Sequence, residues 1–154
     1  MLTVTRQILI SAPKESVRLY LQDLSRLSEY EPKIDAVEVT GGEKGASFEA
    51  QGRFMAMPWR ASFQVDFTRD GGYRSVMVRG PLKQMTGGFH LRPVSGGTIV
   101  TRDEQYQVPL PVKPLKPIFR SWITRSMDLQ LAAVKEGAEK LNRRLQIEQL
   151  ESIG

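Results

Sequence analysis

Trp59-Arg60-Ala61-Ser62-Phe63-Gln64-Val65-Asp66-Phe67-Thr68 alternates without a break. Trp59, Ala61, Phe63, Val65 and Phe67 fall on one side of an extended chain. Arg60, Ser62, Gln64, Asp66 and Thr68 fall on the other. Period two over this length predicts a strand with one packed and one wet face. A packed face needs a second layer over it. The rest of the chain has to supply both more sheet and that cover.

Around this stretch, glycines punctuate short extended runs. The pattern predicts strands at Lys33–Thr40, Ala46–Met55, Trp59–Thr68, Tyr73–Arg79, Met85–Pro93 and Thr98–Val108. Connections this short favour antiparallel hairpins over crossovers. Leu2–Ile10 also alternates, with Leu2, Val4, Ile8 and Ile10 on one face and Arg6 interrupting it. Ser11 or Ala12 then caps a helix with Pro13 in its first turn, and Val17, Tyr20, Leu21 and Leu24 form its apolar stripe. A second short helical turn runs from Ser25 to Glu29 and ends before Pro32.

After Pro109-Leu110-Pro111-Val112-Lys113-Pro114-Leu115-Lys116-Pro117, a long helix is expected to about Gln149. Ile118, Trp122, Leu129, Ala133, Leu141 and Leu145 recur at helical spacing, with Phe119, Ile123, Val134 and Ala138 beside them. The expected architecture is α+β, ordered β-α-α-β6-α, with a curved antiparallel sheet wrapped around the C-terminal helix. Residues 1–154 read as a single domain.

The chain carries 40% hydrophobic and 25% charged residues, a globular balance. It has no cysteine, which excludes disulfides, thiolate metal sites and cysteine nucleophiles. No apolar run is long enough to span a bilayer, and the first residues lack a signal-peptide layout, so a cytoplasmic location is expected. The net charge is +5, but no block of five basic residues occurs. The charge reads as a solvated surface, and nucleic acid is disfavoured as a partner.

Several segments resemble the START-like, helix-grip (SRPBCC) superfamily, in particular its bacterial polyketide cyclase/dehydrase and coenzyme-Q-binding-like branch. They are Ile10-Ser11-Ala12-Pro13-Lys14-Glu15-Ser16-Val17, the stretch Leu24–Tyr30 through Val37–Val39, Gly80-Pro81-Leu82, and Gly97-Thr98-Ile99-Val100-Thr101. The closing helix matches in length and position. The resemblance implies a deep cavity between sheet and helix, which family members use for lipids, quinones, polyketides and other apolar ligands. It is a pattern of fold residues and says little about chemistry.

Candidate lining residues for a small hydrophobic ligand are Trp59, Phe63, Phe67, Phe89, Arg102, Tyr106, Trp122 and Leu129, with Phe48 in the same aromatic set. Taken singly, each of these aromatics reads better as ordinary core. Ser126, Ala133 and Gly137 are small residues near the helix stripe. Set against large aromatics, they either leave a cavity of ~300 Å³ or more or let the helix sit close to the sheet.

Arg102, Glu104 and Tyr106 share one strand face and are the candidates for catalytic or head-group chemistry. Two placements stay open. Either they point inward as a pair with a phenol, or a bulge turns the strand and exposes them. Arg79 shares a face with Tyr73 and reads best as a solvated arginine at a strand end. His90, the sole histidine, should point outward, which argues against a zinc site or a histidine-assisted nucleophile. The chain has no phosphate-cradling loop and no dinucleotide fingerprint, so neither a cofactor nor a metal is expected. Leu110–Phe119, apolar with interleaved lysines, reads either as a stiff loop packed on the sheet edge or as a lip that touches a membrane.

The leading functional reading is a binding or carrier protein for a small hydrophobic molecule. An enzyme of the cyclase, aromatase or dehydratase kind is the alternative. A module that binds RNA, a ribosome or a membrane is the third.

Overall fold

The computed structural model describes residues 1–42, 45–54, 56–82 and 84–153. The chain forms β1 (Leu2–Ile10), α1 (Lys14–Gln22), a 3-10 turn (Leu24–Arg26), α2 (Leu27–Tyr30), β2 (Ile34–Gly42), β3 (Gly45–Phe54), β4 (Met57–Phe67), β5 (Tyr73–Arg79), β6 (Met85–Val94), β7 (Gly97–Tyr106), a second 3-10 turn (Leu110–Leu115) and α3 (Lys116–Ile153). The expected strands are all present; Leu2–Ile10 and Tyr73–Arg79 match end to end, and the others have shifted ends. Met55, the expected end of one of them, lies outside the described residues. Pro13 is the N-cap of α1 rather than a residue of its first turn.

One antiparallel seven-stranded sheet has the order β1-β7-β6-β5-β4-β3-β2, so β1 closes back against the last strand and β2 forms the other edge. The alternation on β4 holds. Ala61, Phe63 and Val65 are buried, while Arg60, Gln64 and Asp66 are exposed and Ser62 is half-buried. Sheet twist lets such a face curve around a helix. α3 is that helix, and α1 and α2 also pack against it.

The buried stripe of α3 is Ile123, Ser126, Met127, Gln130, Leu131, Val134 and Ala138. It lies to one side of the stripe read from apolar residues. Leu129, expected to face the sheet, is 59% exposed, and Ile118 is exposed too. Apolar side chains stand on several sides of this helix, so spacing alone does not choose the face. Ser126 and Gln130, both polar, lie on the face that packs.

Gly137 does not border a cavity. A Cβ there would stand 2.2 Å from the Tyr20 ring, so the missing side chain is what lets α1 lie close to α3. Arg6, the break in the β1 pattern, donates to Asp128 of α3 at 2.8 Å. Both partners are half exposed, and water screens the pair.

Candidate functional site

β7 carries the centre of the site. Its ladders with β1 and β6 run from Gly97 to Tyr106 with no register shift. Parity is therefore fixed by Thr98 and Val100, which are buried, and it carries Arg102, Glu104 and Tyr106 to the same inner face. No bulge turns them outward. All three are at least nine-tenths buried.

The two charges are paired and hydrogen-bonded, as burial requires. Arg102 Nη2 donates to Glu104 Oε1 at 3.0 Å, and the Tyr106 hydroxyl donates to Glu104 Oε2 at 2.7 Å. The Lys33 ammonium stands 3.6 Å from Glu104 Oε1 and 3.2 Å from Glu31 Oε1. Gln130 of α3 donates from Nε2 to Glu31 Oε2 at 2.6 Å. The result is a neutral cluster of two carboxylates and two cations that ties β7 to the α2–β2 loop and to α3. The guanidinium of Arg102 lies over the Phe89 ring, 4.6 Å from its centroid.

The loop between α2 and β2 is held so that Glu31 and Lys33 turn inward. Glu31 caps α2, its amide donating to the Leu27 carbonyl. Its own carbonyl accepts from Ile34 N, and its carboxylate accepts from the Lys33 amide at 3.1 Å. Beneath lies an aromatic floor. Tyr30 and Tyr73 share a hydroxyl hydrogen bond of 2.9 Å, and both pack edge-on against Phe89.

Ionisation in the cluster follows from competing terms. Burial works against the charged form of Glu104. Lys33, Arg102 and the hydrogen bonds from Tyr106 and Arg102 outweigh it and hold the carboxyl below its ordinary value. Burial likewise opposes the Lys33 ammonium, but Glu104 and Glu31 leave its pKa raised. Tyr106 is driven well above its ordinary value, by burial first and the Glu104 charge second. Burial pushes Tyr73 up to about 12.

A carboxyl depressed in the folded state stabilises the fold above its unfolded pKa, and that contribution is lost as pH falls through the folded value. Acid titration should therefore lower the melting temperature below about pH 4.5, the ordinary carboxyl range. Glu104→Gln should flatten that acid limb. Melting curves between about pH 7 and pH 3 test this, and an unchanged limb in the variant would contradict the assignment to Glu104.

Above the cluster is a cavity of about 230 Å³. This is smaller than the volume suggested by the small residues of α3. Its apolar wall includes Ile34, Phe48, Trp59, Phe63, Met77 and Met85, and its polar end includes Glu31, Lys33, Arg102, Tyr106 and Gln130. Phe48 and Phe63 stack at 4.8 Å. Exposed Met57, Pro58 and Pro81, with half-buried Leu82 and Phe119, mark its mouth.

Of the residues expected to line a cavity, the structure brings together Trp59, Phe63, Arg102 and Tyr106. Phe89 lies under Arg102 instead. Phe67 is half-buried and packs with the main core. Trp122 packs with Leu2, Val4, Tyr106, Ile123 and Met127 near the start of α3. Leu129 is on the outer face of α3 and is corrected as a lining residue. Glu104 supports the cavity end without lining it.

Sequence reading missed Glu31, Lys33 and Gln130. The signal for the first two was slight: a proline-stiffened Glu-Pro-Lys at a helix-to-strand junction. Gln130 gave none. Arg79 is exposed, as a strand-end arginine should be. His90 points outward, its Nε2 2.9 Å from Asp103 Oδ1. Among the described residues, no group of three or more histidines and carboxylates is placed to hold a metal.

Arg102 Nε and Nη1, Ser126 Oγ and Gln130 Oε1 are buried with no hydrogen-bonding partner among the described residues. Buried polar atoms are ordinarily satisfied. Arg102 and Gln130 both line the cavity.

No curated protein matches the chain significantly in sequence. Solved structures do match in fold. TTHA0849 from Thermus thermophilus is 19% identical, with 90% of this chain and 98% of that one covered and a TM-score of 0.81. The Zhui aromatase/cyclase from Streptomyces sp. R1128 is 14% identical over 90% and 94% of the two chains, with a TM-score of 0.75. A START superfamily protein from Mycobacterium smegmatis is 12% identical over 90% and 98%, with a TM-score of 0.74. At these identities the likeness is one of fold. The family described as polyketide cyclase/dehydrase and lipid transport matches residues 1–139. With nearly the whole helix-grip unit inside that match, the chain belongs to the polyketide cyclase/dehydrase and lipid transport family of START-like proteins.

Proposed function

We propose that the protein binds one small, mostly apolar molecule in the cavity between sheet and α3, with the molecule's hydrogen-bonding end at Arg102 and Gln130. The carrying observation is the cavity's two-part lining: aromatic and aliphatic walls that end at a neutral ion cluster. Apolar burial supplies the affinity and the polar end sets orientation. An engineered apolar cavity of about 150 Å³ holds one benzene. A cavity of about 230 Å³ therefore suits a bicyclic ring or a single ring with a short chain.

A carrier reading fits better than proton-transfer catalysis. Both oxygens of Glu104 and both of Glu31 are already engaged. A general base must stand within hydrogen-bond reach of the proton it takes, and Glu104 does not line the cavity. The second reading, a cyclase or dehydratase, rests on Arg102 and Tyr106 lining the cavity. There a guanidinium favours developing negative charge on a carbonyl oxygen. The aromatase/cyclase name of the Streptomyces structure gives it further support.

Native mass spectrometry of freshly purified protein should show a copurified adduct, and 2-naphthol should raise the melting temperature. Ser75 lines the cavity and is buried. Ser75→Phe fills part of the space and should weaken 2-naphthol binding about tenfold or more while unfolding stays cooperative. Equal binding by the two proteins would sink the cavity as the binding site. Turnover of a polyketide-like substrate would favour the enzyme reading, and its loss in Tyr106→Phe would assign the chemistry to this cavity.

A further inference from the structure

The tertiary fold gathers three distant segments around the cavity mouth. The β3–β4 hairpin supplies Met57 and Pro58, the β5–β6 turn supplies Pro81 and Leu82, and the start of α3 supplies Phe119. Leu82, Met85, Val108 and Phe119 pack together with Tyr106, so the proline-rich approach to α3 is continuous with this rim. None of the chain's 17 Asp and Glu residues falls within residues 53–59, 80–86 or 107–121. Lys113, Lys116 and Arg120 do, and they form no ion pair among the described residues. Among the described residues, the side chains of Lys116 and Arg120 donate only to the Met1 and Thr3 carbonyls. Arg53 shares an outer hollow with Asp35 and counts for less.

Met57 of the rim and the proline-rich approach to α3 expose large apolar side chains. Leu110 is 78% exposed, Met57 71%, Ile118 61% and Leu115 53%. Single exposed apolar residues are ordinary, but a cluster beside uncompensated cations is the make-up of a surface that meets anionic lipid. We propose that the mouth end of the molecule docks on an anionic membrane, with Leu110, Leu115 and Ile118 entering the headgroup region and Lys113, Lys116 and Arg120 on lipid phosphates.

Charge decides between occupants. A second copy would bring a positive rim against a positive rim, which like-charge repulsion opposes. An acidic soluble protein would satisfy the cations but leave no role for exposed Leu110 and Ile118. A lipid surface uses both. Docking would also place the cavity opening against the bilayer, where apolar ligands partition. The proposal concerns the outer rim and does not depend on what the cavity holds.

The test is cosedimentation of the full chain with vesicles of phosphatidylcholine alone and of phosphatidylcholine with phosphatidylglycerol. Binding should require phosphatidylglycerol and weaken as salt is raised. Lys113→Glu/Lys116→Glu should lose about tenfold or more, since each cation near such a surface contributes a severalfold gain. Leu110→Gln/Ile118→Gln should also lose about tenfold, with 2-naphthol binding and melting temperature unchanged. Equal binding to neutral vesicles, or none to either kind, overturns the proposal. So does a Leu110→Gln/Ile118→Gln variant that binds like wild type, because attraction by charge alone is what an acidic protein or RNA would show.

Discussion

Glu104→Ala is expected to destabilise the protein by about 3–5 kcal/mol, the range for removing one member of a buried ion pair. Glu104 is fully buried and, among the described residues, is the one carboxylate that meets Arg102, Lys33 and Tyr106 together. Without it, Arg102 loses its only hydrogen-bonded partner among the described residues, and Lys33 keeps Glu31 alone. The cost comes from stranded charge rather than from lost attraction, because two buried cations then face the single Glu31 carboxylate. At ~2–4 °C per kcal/mol for a chain of this size, the melting temperature should fall by roughly 6–20 °C. Arg102→Met with Glu104→Leu removes both charges and should recover much of that loss. Thermal and urea melts of the three proteins check the prediction. A single variant within about 1 kcal/mol of wild type would mean the pair behaves as if solvated.

Gly52→Ala is expected to cost about 3 kcal/mol or more, at the upper end of overpacking effects. A Cβ on Gly52 would stand 1.7 Å from the Lys33 carbonyl oxygen and 3.1 Å from Ile34 Cα. The obstacle is backbone on the neighbouring strand, so no rotamer change relieves it. The contact falls where β2 begins, beside the register shift between Ile34 and Ala36. Opening it would push Lys33 away from Glu104 and Glu31. Lost stability should therefore come with weaker binding of 2-naphthol, unlike an exposed substitution on the same strand such as Glu49→Ala. Urea unfolding and calorimetric titration of both variants test this. A Gly52→Ala protein as stable as wild type would show that the β2–β3 approach is looser than described.

The sheet was legible because a strand's period is short and self-correcting. Trp59 to Phe67 carried its own proof in five alternations, and glycines marked the turns on either side. The inward placement of Arg102, Glu104 and Tyr106 was half legible. Parity from Val100 pointed inward, but two charges on that face left a bulge equally open. What decided it was the unbroken pairing of β7 with both neighbours.

Helix α3 was legible as a helix but not as to its face. Leu129 looked like core and is exposed, whereas Gln130 gave no signal and is buried against Glu31. Gly137 was legible as small, yet its reason, the Tyr20 ring, lies on α1. The mouth was the least legible feature, since residues 57–58, 81–82 and 119 are far apart in the chain.

The sequence by itself determined the elements and their order, because strand and helix periods, glycine punctuation and prolines are local and act through the backbone of a few residues. Only the tertiary structure decided which side of α3 is buried, which charges meet, and how large a space is left. Those are sums over contacts between segments distant in the chain, and a buried glutamine or lysine becomes favourable only once its partner is in place.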